Sequence, residues 1–257
     1  MKPGDRIRFP SLKRAAWPLA IVLCLPLLLV GQTLEPRVTC LTVADRNREE
    51  LTRKLQRITG WPDLEFDRRG ILRKGNRQSV GGSALARNLL STVMSGARSV
   101  VIEDASRHSE VVFSRVMPAR LKNHSSKSDL FVIQIDFADF EHVTGDRMAL
   151  EAFDVGWVVL HELDHIVNDS HDANYSDELG ECEHHINLMR RECNLPERAD
   201  YFFTFLPTPS DSMYTRRFVR LAFEKILGGS RKKYWLLWDA NLVGGVEKQI
   251  SMKLDLR

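Results

Sequence analysis

The segment HELDHIVNDSHD, residues 161–172, carries two histidines four positions apart, with a glutamate directly after the first. On a helix, His161 and His165 would project from one face, one turn from each other. Two imidazoles placed in this way can bind one Zn²⁺ and leave positions for a third protein ligand and a water molecule. Glu162 would accept a proton from that water, whose pKa a bound zinc lowers toward about 7. The segment therefore predicts Zn²⁺ as cofactor and Glu162 as the catalytic residue of a hydrolytic reaction.

The periodicity of the surrounding sequence predicts the elements that hold this segment. Asp146 to Val167 is mostly apolar and indicates one long helix that contains both histidines. Three runs rich in β-branched residues precede it and predict strands, at 99–104, 110–116 and 129–140. Other helices are predicted at 46–59, 83–95, 176–193 and 215–227. Trp235 and Trp238 are predicted to be core residues of a last strand.

Strands that precede a long helix are typical of an α+β fold. We therefore expect a small mixed sheet packed on a long active-site helix, followed by further C-terminal helices. The sequence shows no internal repeat or low-complexity tract, so residues 34–257 are predicted to form a single domain.

At HELDH the chain resembles the zincin class of metallopeptidases, in which the strand before the active helix lines the substrate cleft. Further on, EHHINLMRRECNLPER (183–198) resembles the downstream helix of bacterial effector-type zincins. In those proteins an Asn-x-x-Arg helix ends in a Leu-Pro-x-Arg turn. The resemblance covers about residues 80–205. It implies a zincin-like fold and peptidase activity on a protein or peptide substrate.

The first candidate for the third metal ligand is Glu183. Its distance from His165 is similar to the spacing in zincins whose third ligand is a glutamate on a following helix. If that helix returns antiparallel, residues 181–183 lie level with 161–165. Asn187, one turn beyond Glu183, is then predicted to hydrogen-bond a metal ligand.

His171 is the alternative third ligand. HELDHIVNDSH fits the metzincin pattern H-E-x-x-H-x-x-G-x-x-H, with Asn168 where glycine is expected. Asparagine tolerates the left-handed geometry that such a turn requires. Residues 212–214 (Ser-Met-Tyr) would then form the methionine turn under the metal. Asp172 and Glu181 are further candidates.

These residues together predict a zinc-dependent endopeptidase that hydrolyses peptide bonds through a water molecule activated by Glu162. The alternative is a non-catalytic zinc-binding or interaction module that keeps the zincin fold. A closed structural zinc site has four protein ligands and no water. His171 and Glu183 would supply the third and fourth ligands of such a site, so both functions remain open.

The first 33 residues differ in character from the rest of the chain. Five basic side chains precede an uncharged run of 17 residues, AAWPLAIVLCLPLLLVG, at 15–31. This pattern predicts a signal peptide or an N-terminal membrane anchor over residues 1–33. The basic flank predicts export, with the domain either secreted or anchored to the membrane and facing the periplasmic or extracellular side.

Net charge and cysteine spacing argue against nucleic-acid binding and against a thiolate zinc site. The whole chain has a net charge of +3 and residues 1–33 carry +4, which leaves −1 for residues 34–257. This near-neutral balance gives no electrostatic argument for nucleic-acid binding. Cys182 and Cys193 would lie about 16 Å apart along one helix, too far for a disulfide. None of the cysteine spacings is that of a thiolate zinc site.

Overall fold

The computed structural model describes residues 37–40, 42–106, 108, 110–119, 130–176, 178–206 and 217–244. The chain divides into two units, Met1–Thr33 and Leu34–Arg257. The predicted signal peptide or anchor and the predicted methionine turn at 212–214 lie outside the described residues. Among the helices described, none combines the length and apolar character needed to span a membrane.

Helices and strands alternate through the described part of the chain. In chain order they are β1 (Val38–Thr39), α1 (Asp45–Thr59), β2 (Leu64–Phe66), β3 (Leu72–Lys74), α2 (Ala84–Ser95), β4 (Ser99–Asp104), β5 (Ser114–Pro118), β6 (Leu130–Ile135), α3 (Phe137–Glu141), β7 (Thr144–Gly145), α4 (Arg147–Ala152), α5 (Val155–Asn168), α6 (Glu181–Glu192), β8 (Glu197–Arg198), β9 (Thr204–Phe205), β10 (Phe218–Leu227) and β11 (Ser230–Asp239). The protein is α+β, as predicted.

The first sheet contains four strands in the order β1-β4-β6-β5. β1 and β6 both run parallel to β4, with Val100 opposite Phe131. β5 runs antiparallel to β6, with Val116 opposite Ile133. The sheet is therefore mixed, and β1 and β5 are its edge strands among the described residues. β5 also lies against α5, the helix that carries His161 and His165.

α5 is buried on most sides. It contacts α1, α2 and α6, and its apolar residues join the core between these helices and the first sheet. Leu160 and Leu163 have no exposed surface, and Trp157 is 1% exposed. Burial on so many sides is typical of a central helix, and it fixes the position of α5 relative to the elements around it.

The predicted long helix from Asp146 to Val167 is two helices. α4 ends at Ala152, and α5 begins at Val155 after an extended Phe153 and Asp154. The Asp154 carboxylate accepts hydrogen bonds from the backbone N–H groups of Gly156 and Trp157 at 3.0 and 3.3 Å. An aspartate favours this capping role because it satisfies free N–H groups at a helix start. The apolar periodicity across both helices did not show the break.

Of the two helices predicted after the active-site helix, α6 is present, but the helix predicted at 215–227 is a strand over its described residues. β10 occupies Phe218–Leu227 and pairs antiparallel with β11 along its whole length. Gly228 and Gly229 form the two-residue turn, with φ of 56° and 80°. Two glycines between apolar runs are a hairpin signal as well as a helix end, and pairing with β11 decides between the two. β11 is the predicted last strand, and its Trp238 is 2% exposed.

This hairpin belongs to a second sheet, in the order β7-β11-β10-β8, with β9 also paired to β10. Its buried face forms a second apolar cluster around Phe153, Phe223 and Trp238. Because Val158 of α5 belongs to this cluster, α5 has apolar packing to both sheets.

Three other predicted boundaries shift by a few residues. The strand predicted at 110–116 begins at Ser114, and the strand predicted at 129–140 ends at Ile135. Asp136 then caps α3, because its side chain accepts the N–H groups of two residues that follow it. The helix predicted from residue 176 begins at Glu181, after Gly180 with a φ of 78°.

Phe113, the residue before β5, has a left-handed backbone with a φ of 60°. This conformation is uncommon for a large side chain. Its N–H donates to Asp139 Oδ2 at 2.9 Å, and its carbonyl accepts the N–H of Asp136 at 2.9 Å. Its ring packs edge-on to Trp238, with centroids 5.4 Å apart. These contacts hold the start of β5 and therefore position Ser114.

Replacing Asp139→Asn is expected to remove part of the pH dependence of stability. Burial raises the pKa of Asp139 to about 6, although backbone N–H groups of Phe113 and Gly244 act to lower it. The folded protein therefore binds this proton at a higher pH than the unfolded chain does. As the pH rises from about 4 to 6, the free energy of unfolding falls by a contribution of up to about 3 kcal/mol.

Denaturant unfolding at about pH 4.5 and about pH 7 measures this contribution. The difference between the two pH values should be smaller in Asp139→Asn than in the wild type. Asp200→Asn, at an exposed position, is the control and should keep the wild-type dependence. An Asp139→Asn protein with the wild-type dependence would contradict the prediction.

Candidate metal centre

His161 and His165 project from the same face of α5, as predicted. Their ring centroids are 4.8 Å apart, and the rings are nearly perpendicular. The Oδ1 atom of Asp172 lies 3.0 Å from His161 Nε2 and 3.4 Å from His165 Nε2. Ligand atoms about 2.0–2.1 Å from a tetrahedral zinc ion are about 3.3–3.4 Å apart. The two imidazoles and this carboxylate therefore fit three positions of a zinc site.

The turn after α5 brings Asp172 to the histidines. Asp169 has a φ of 54° and ends the helix in the left-handed conformation. The buried Ser170 then donates its hydroxyl to Asp164 Oδ2 at 2.6 Å. Further along, Asp172 forms a backbone bridge with Gly180, directly before α6. Both ends of the turn are therefore held, and Asp172 faces the two rings between them.

The same turn orients His165. Its Nδ1 atom donates to the Ser170 carbonyl at 2.7 Å. An imidazole that donates from one nitrogen presents the lone pair of the other nitrogen to a metal. Nε2, which faces Asp172, is therefore the nitrogen of His165 that could bind a metal once it has lost its proton.

Glu183 does not lie at the third ligand position, in contrast to the prediction. Its Oε2 is 3.4 Å from Nδ1 of His161, the ring nitrogen on the side away from Asp172. Its carboxylate is fully buried and pairs with Arg190 and with Arg198, the latter at 3.1 Å. Glu183 therefore accepts a hydrogen bond from His161 and orients it, in the way that carboxylates commonly support metal-binding histidines.

The alternative ligand His171 and the candidate Glu181 also lie outside the group of converging donor atoms. Both residues are exposed. The backbone carbonyl of His171 accepts the N–H of Cys182 at 3.2 Å, so this residue joins the turn to α6. The metzincin spacing that ends at His171 is thus present in the sequence. The carboxylate that lies beside the two histidines belongs to Asp172, the residue after His171.

Asn187 was predicted to hydrogen-bond a metal ligand, and its contacts differ from that prediction. Its Oδ1 accepts from Arg190 Nη1 at 2.9 Å and from the Arg198 N–H at 2.7 Å. Its Nδ2 donates to the Arg198 carbonyl at 2.9 Å. Asn187 therefore holds the two arginines that pair with Glu183. These four residues come from the downstream segment in which the sequence resembles effector-type zincins.

The charges in this cluster are strongly coupled. Burial by itself lowers the pKa of His161 and His165, but hydrogen bonds with Asp172 and Cys182 outweigh it. They raise the pKa of His161 well above its ordinary value and that of His165 to about 11. Burial acts to raise the pKa of Asp172, but the two imidazoles lower it well below its usual range. The carboxylate is therefore ionised, and metal binding would require the two imidazoles to release the protons that they share with it.

A cavity of about 540 Å³ opens beside the three donors. Glu162 lines it and is 6% exposed, and the Ser114 hydroxyl donates to Glu162 Oε1 at 2.5 Å. Tyr201 also lines it and stacks on His161, with centroids 6.4 Å apart. Much of the remaining lining is apolar and includes Phe113, Phe153, Val158, Phe202, Phe203, Leu221 and Trp238. The predicted catalytic residue therefore faces the same space as the donors.

The structure also adds a group that the sequence analysis did not place at this site. The Sγ atom of Cys182 belongs to a set of four donor atoms, with those of His161, His165 and Asp172, that lie within 4.8 Å of one another. In the sequence, Cys182 is part of the apolar stripe of α6 and lacks the paired spacing of thiolate zinc sites. Its proximity to the histidines results from the packing of α6 on α5.

Comparisons with protein-family models, with curated proteins and with solved structures give no match. The site must therefore be interpreted from its own geometry and chemistry. The likeness to zincins rests on HELDH and on the segment 183–198.

Proposed function

We propose that this protein is a zinc-dependent endopeptidase. The observation that carries the proposal is the convergence of two histidine Nε2 atoms and Asp172 Oδ1, at 3.0 and 3.4 Å, beside a cavity that Glu162 also lines. Two nitrogens and one carboxylate oxygen are a donor set of catalytic zinc sites, which keep a fourth position for water.

When bound by His161, His165 and Asp172, zinc would polarise a peptide carbonyl and lower the pKa of a water molecule. Glu162 would take the proton of that water and transfer it to the leaving amine, which is general base and then general acid catalysis. Ser114 supports this role, because its hydroxyl fixes Oε1 of the nearly buried carboxylate. Glu183 supports His161 from its other nitrogen.

The walls of the cavity favour a peptide substrate. β5 is an edge strand among the described residues and lies against α5, so an extended peptide can pair with its free backbone groups. The apolar residues that line the cavity, among them Phe153, Leu221 and Trp238, would accept a bulky apolar side chain next to the scissile bond. We therefore propose a protein or peptide substrate. If residues 1–33 direct export of the protein, this substrate would lie on the periplasmic or extracellular side of the membrane.

A non-catalytic zinc-binding module is the second candidate function. The observation that favours it is the fourth donor, Cys182, within 4.8 Å of the other three. A site with four protein ligands and no water is structural. The two candidates differ in one result, namely whether the zinc-loaded protein hydrolyses peptides.

The full-length protein, purified without chelators, is expected to contain one zinc per chain and to cleave a quenched-fluorescent peptide library. Dialysis against a chelator should remove both the metal and the activity, because the chelator competes for the zinc and the freed ligands take up protons. Zinc should then restore them. Elemental analysis and the fluorescence assay measure the two quantities on the same sample. Zinc at full occupancy without cleavage of any peptide would favour the non-catalytic module, and absence of zinc would contradict the metal centre.

A further inference from the structure

We propose that the Cys182 thiolate is a fourth protein ligand of the metal and binds it from the buried side of the site. The proposal rests on the metal centre of the proposed function, and it does not depend on peptide hydrolysis. Cys182 lies in the first turn of α6 and has no exposed surface. Its Sγ atom is grouped with the donor atoms of His161, His165 and Asp172.

The distances allow coordination after a small movement. A zinc ion with nitrogen or oxygen ligands at about 2.0–2.1 Å and sulfur at about 2.3 Å has ligand atoms about 3.3–3.6 Å apart. All pairs among the four donors lie within 4.8 Å. The widest pair must therefore close by roughly 1 Å. At present the thiol lies 3.3 Å from the His161 carbonyl oxygen, a weak hydrogen bond that coordination would replace.

The backbone couples Cys182 to the third ligand. Asp172 bridges to Gly180, two residues before Cys182, and the Cys182 N–H donates to the His171 carbonyl at 3.2 Å. Residues 171–172 and 180–182 therefore form one unit at the start of α6. The position of the thiol is therefore linked to that of the carboxylate, which already contacts both imidazoles.

The side from which Cys182 approaches matters for the chemistry. Among the described residues, the cavity is lined by His161, His165 and Asp172, whereas Cys182 is not part of its wall. The thiol is therefore buried at the start of α6 and does not line the cavity. With Cys182 bound, the metal would have four protein ligands, and hydrolysis would then require a fifth position for water, to which zinc sites can expand.

A buried cysteine commonly acts as a small apolar residue. Cys182 differs from that role because its side chain interacts with the side chains of both His161 and His165. On binding, the S–H bond breaks, the proton passes to solvent and a metal–sulfur bond forms. A thiolate in the donor set favours zinc, cobalt and cadmium over magnesium and manganese. We therefore expect this site to prefer zinc, cobalt and cadmium over magnesium and manganese more strongly than a site of two histidines and one carboxylate would.

The test is the absorption spectrum of the full-length protein loaded with Co²⁺ alone. Thiolate coordination produces a sulfur-to-cobalt charge-transfer band in the near ultraviolet, separate from the visible bands of bound cobalt. We expect this band in the wild type and its loss in Cys182→Ser and Cys182→Ala. Cys193→Ala is the matched control, because Cys193 follows the same helix and its thiol lies 3.6 Å from the Ile58 carbonyl, away from the cluster. It should keep the band.

Zinc affinity supplies a second measurement. Competition with a chromophoric chelator should show a loss of at least about 10-fold in Cys182→Ser, since even residues that only support ligands contribute this much. Cys193→Ala should bind zinc as the wild type does. Circular dichroism checks that each variant is folded, and Cys182→Ser keeps nearly the volume of the thiol.

Two results would overturn the proposal. One is a wild-type protein that shows visible cobalt bands without the charge-transfer band, and the other is a band that persists in Cys182→Ala. Both leave the three-ligand centre and the peptidase proposal intact. A protein that binds no cobalt at all would instead refute the centre itself.

Discussion

Asp172→Ala is expected to lower zinc affinity by more than about 100-fold, beyond the effect of removing a residue that only supports a ligand. The reason is geometric. Asp172 Oδ1 is the oxygen that lies 3.0 and 3.4 Å from the two Nε2 atoms. Chelator competition measures the affinity, and the peptide assay should show a parallel loss of activity at limiting zinc.

Two control variants separate this role from those of the other predicted ligands. His171→Ala should bind zinc as the wild type does, because His171 is exposed and outside the donor cluster. Glu183→Gln should lower zinc affinity by about 10–100-fold. The loss is limited because the glutamine still accepts a hydrogen bond from His161 Nδ1. A larger loss in either control than in Asp172→Ala would restore the original prediction of that residue as the third ligand.

Glu162→Gln is expected to lower kcat for peptide hydrolysis by about 10²–10⁴-fold while zinc occupancy stays at the wild-type level. Glutamine keeps the size of the side chain and can still accept from the Ser114 hydroxyl, but it cannot take a proton from water. Elemental analysis and the peptide assay on the same preparation provide the two values.

The matched control is Glu181→Gln, which makes the same chemical change at an exposed position on α6. It should have wild-type kcat and zinc content. If Glu162→Gln hydrolyses peptides at the wild-type rate with full zinc, then the proposed proton acceptor is wrong. If it loses zinc, then Glu162 has a role in binding that the geometry does not indicate.

Local sequence was sufficient for features that depend on one segment. The helices α1 and α2 and the strand β4 lie where their periodicity predicts them. His161 and His165 share a face because the helical repeat places residues four apart together. These features need no knowledge of distant residues, so they could be predicted.

Local patterns failed where two interpretations had similar support. Residues 218–227 have apolar residues at positions compatible with a helix, and only pairing with β11 makes them a strand. Apolar residues continue through Phe153, and the carboxylate of Asp154 makes the break by capping α5. Propensity is a weak preference in such segments, and tertiary contacts determine the outcome.

The third ligand shows the same limit at the candidate site. Asp172, His171 and Glu183 are all plausible donors in the sequence, and helix geometry allows each to approach the histidines. Glu183 does not lie at the third ligand position because its carboxylate pairs with two arginines, one of them 15 residues further along the chain. A buried carboxylate needs such partners to balance its charge. His171 faces outward while its neighbour faces the rings, since the turn is held at Ser170 and Gly180.

Residue types and short-range spacing thus define what chemistry the α5 face can perform. The choice among donors, including Cys182, depends on how α6 packs on α5 and where buried charges find partners. These are long-range contacts whose free energy depends on desolvation and on position in space. They exist only once the chain has folded, and for this reason the helix histidines were predictable and the complete donor set was not.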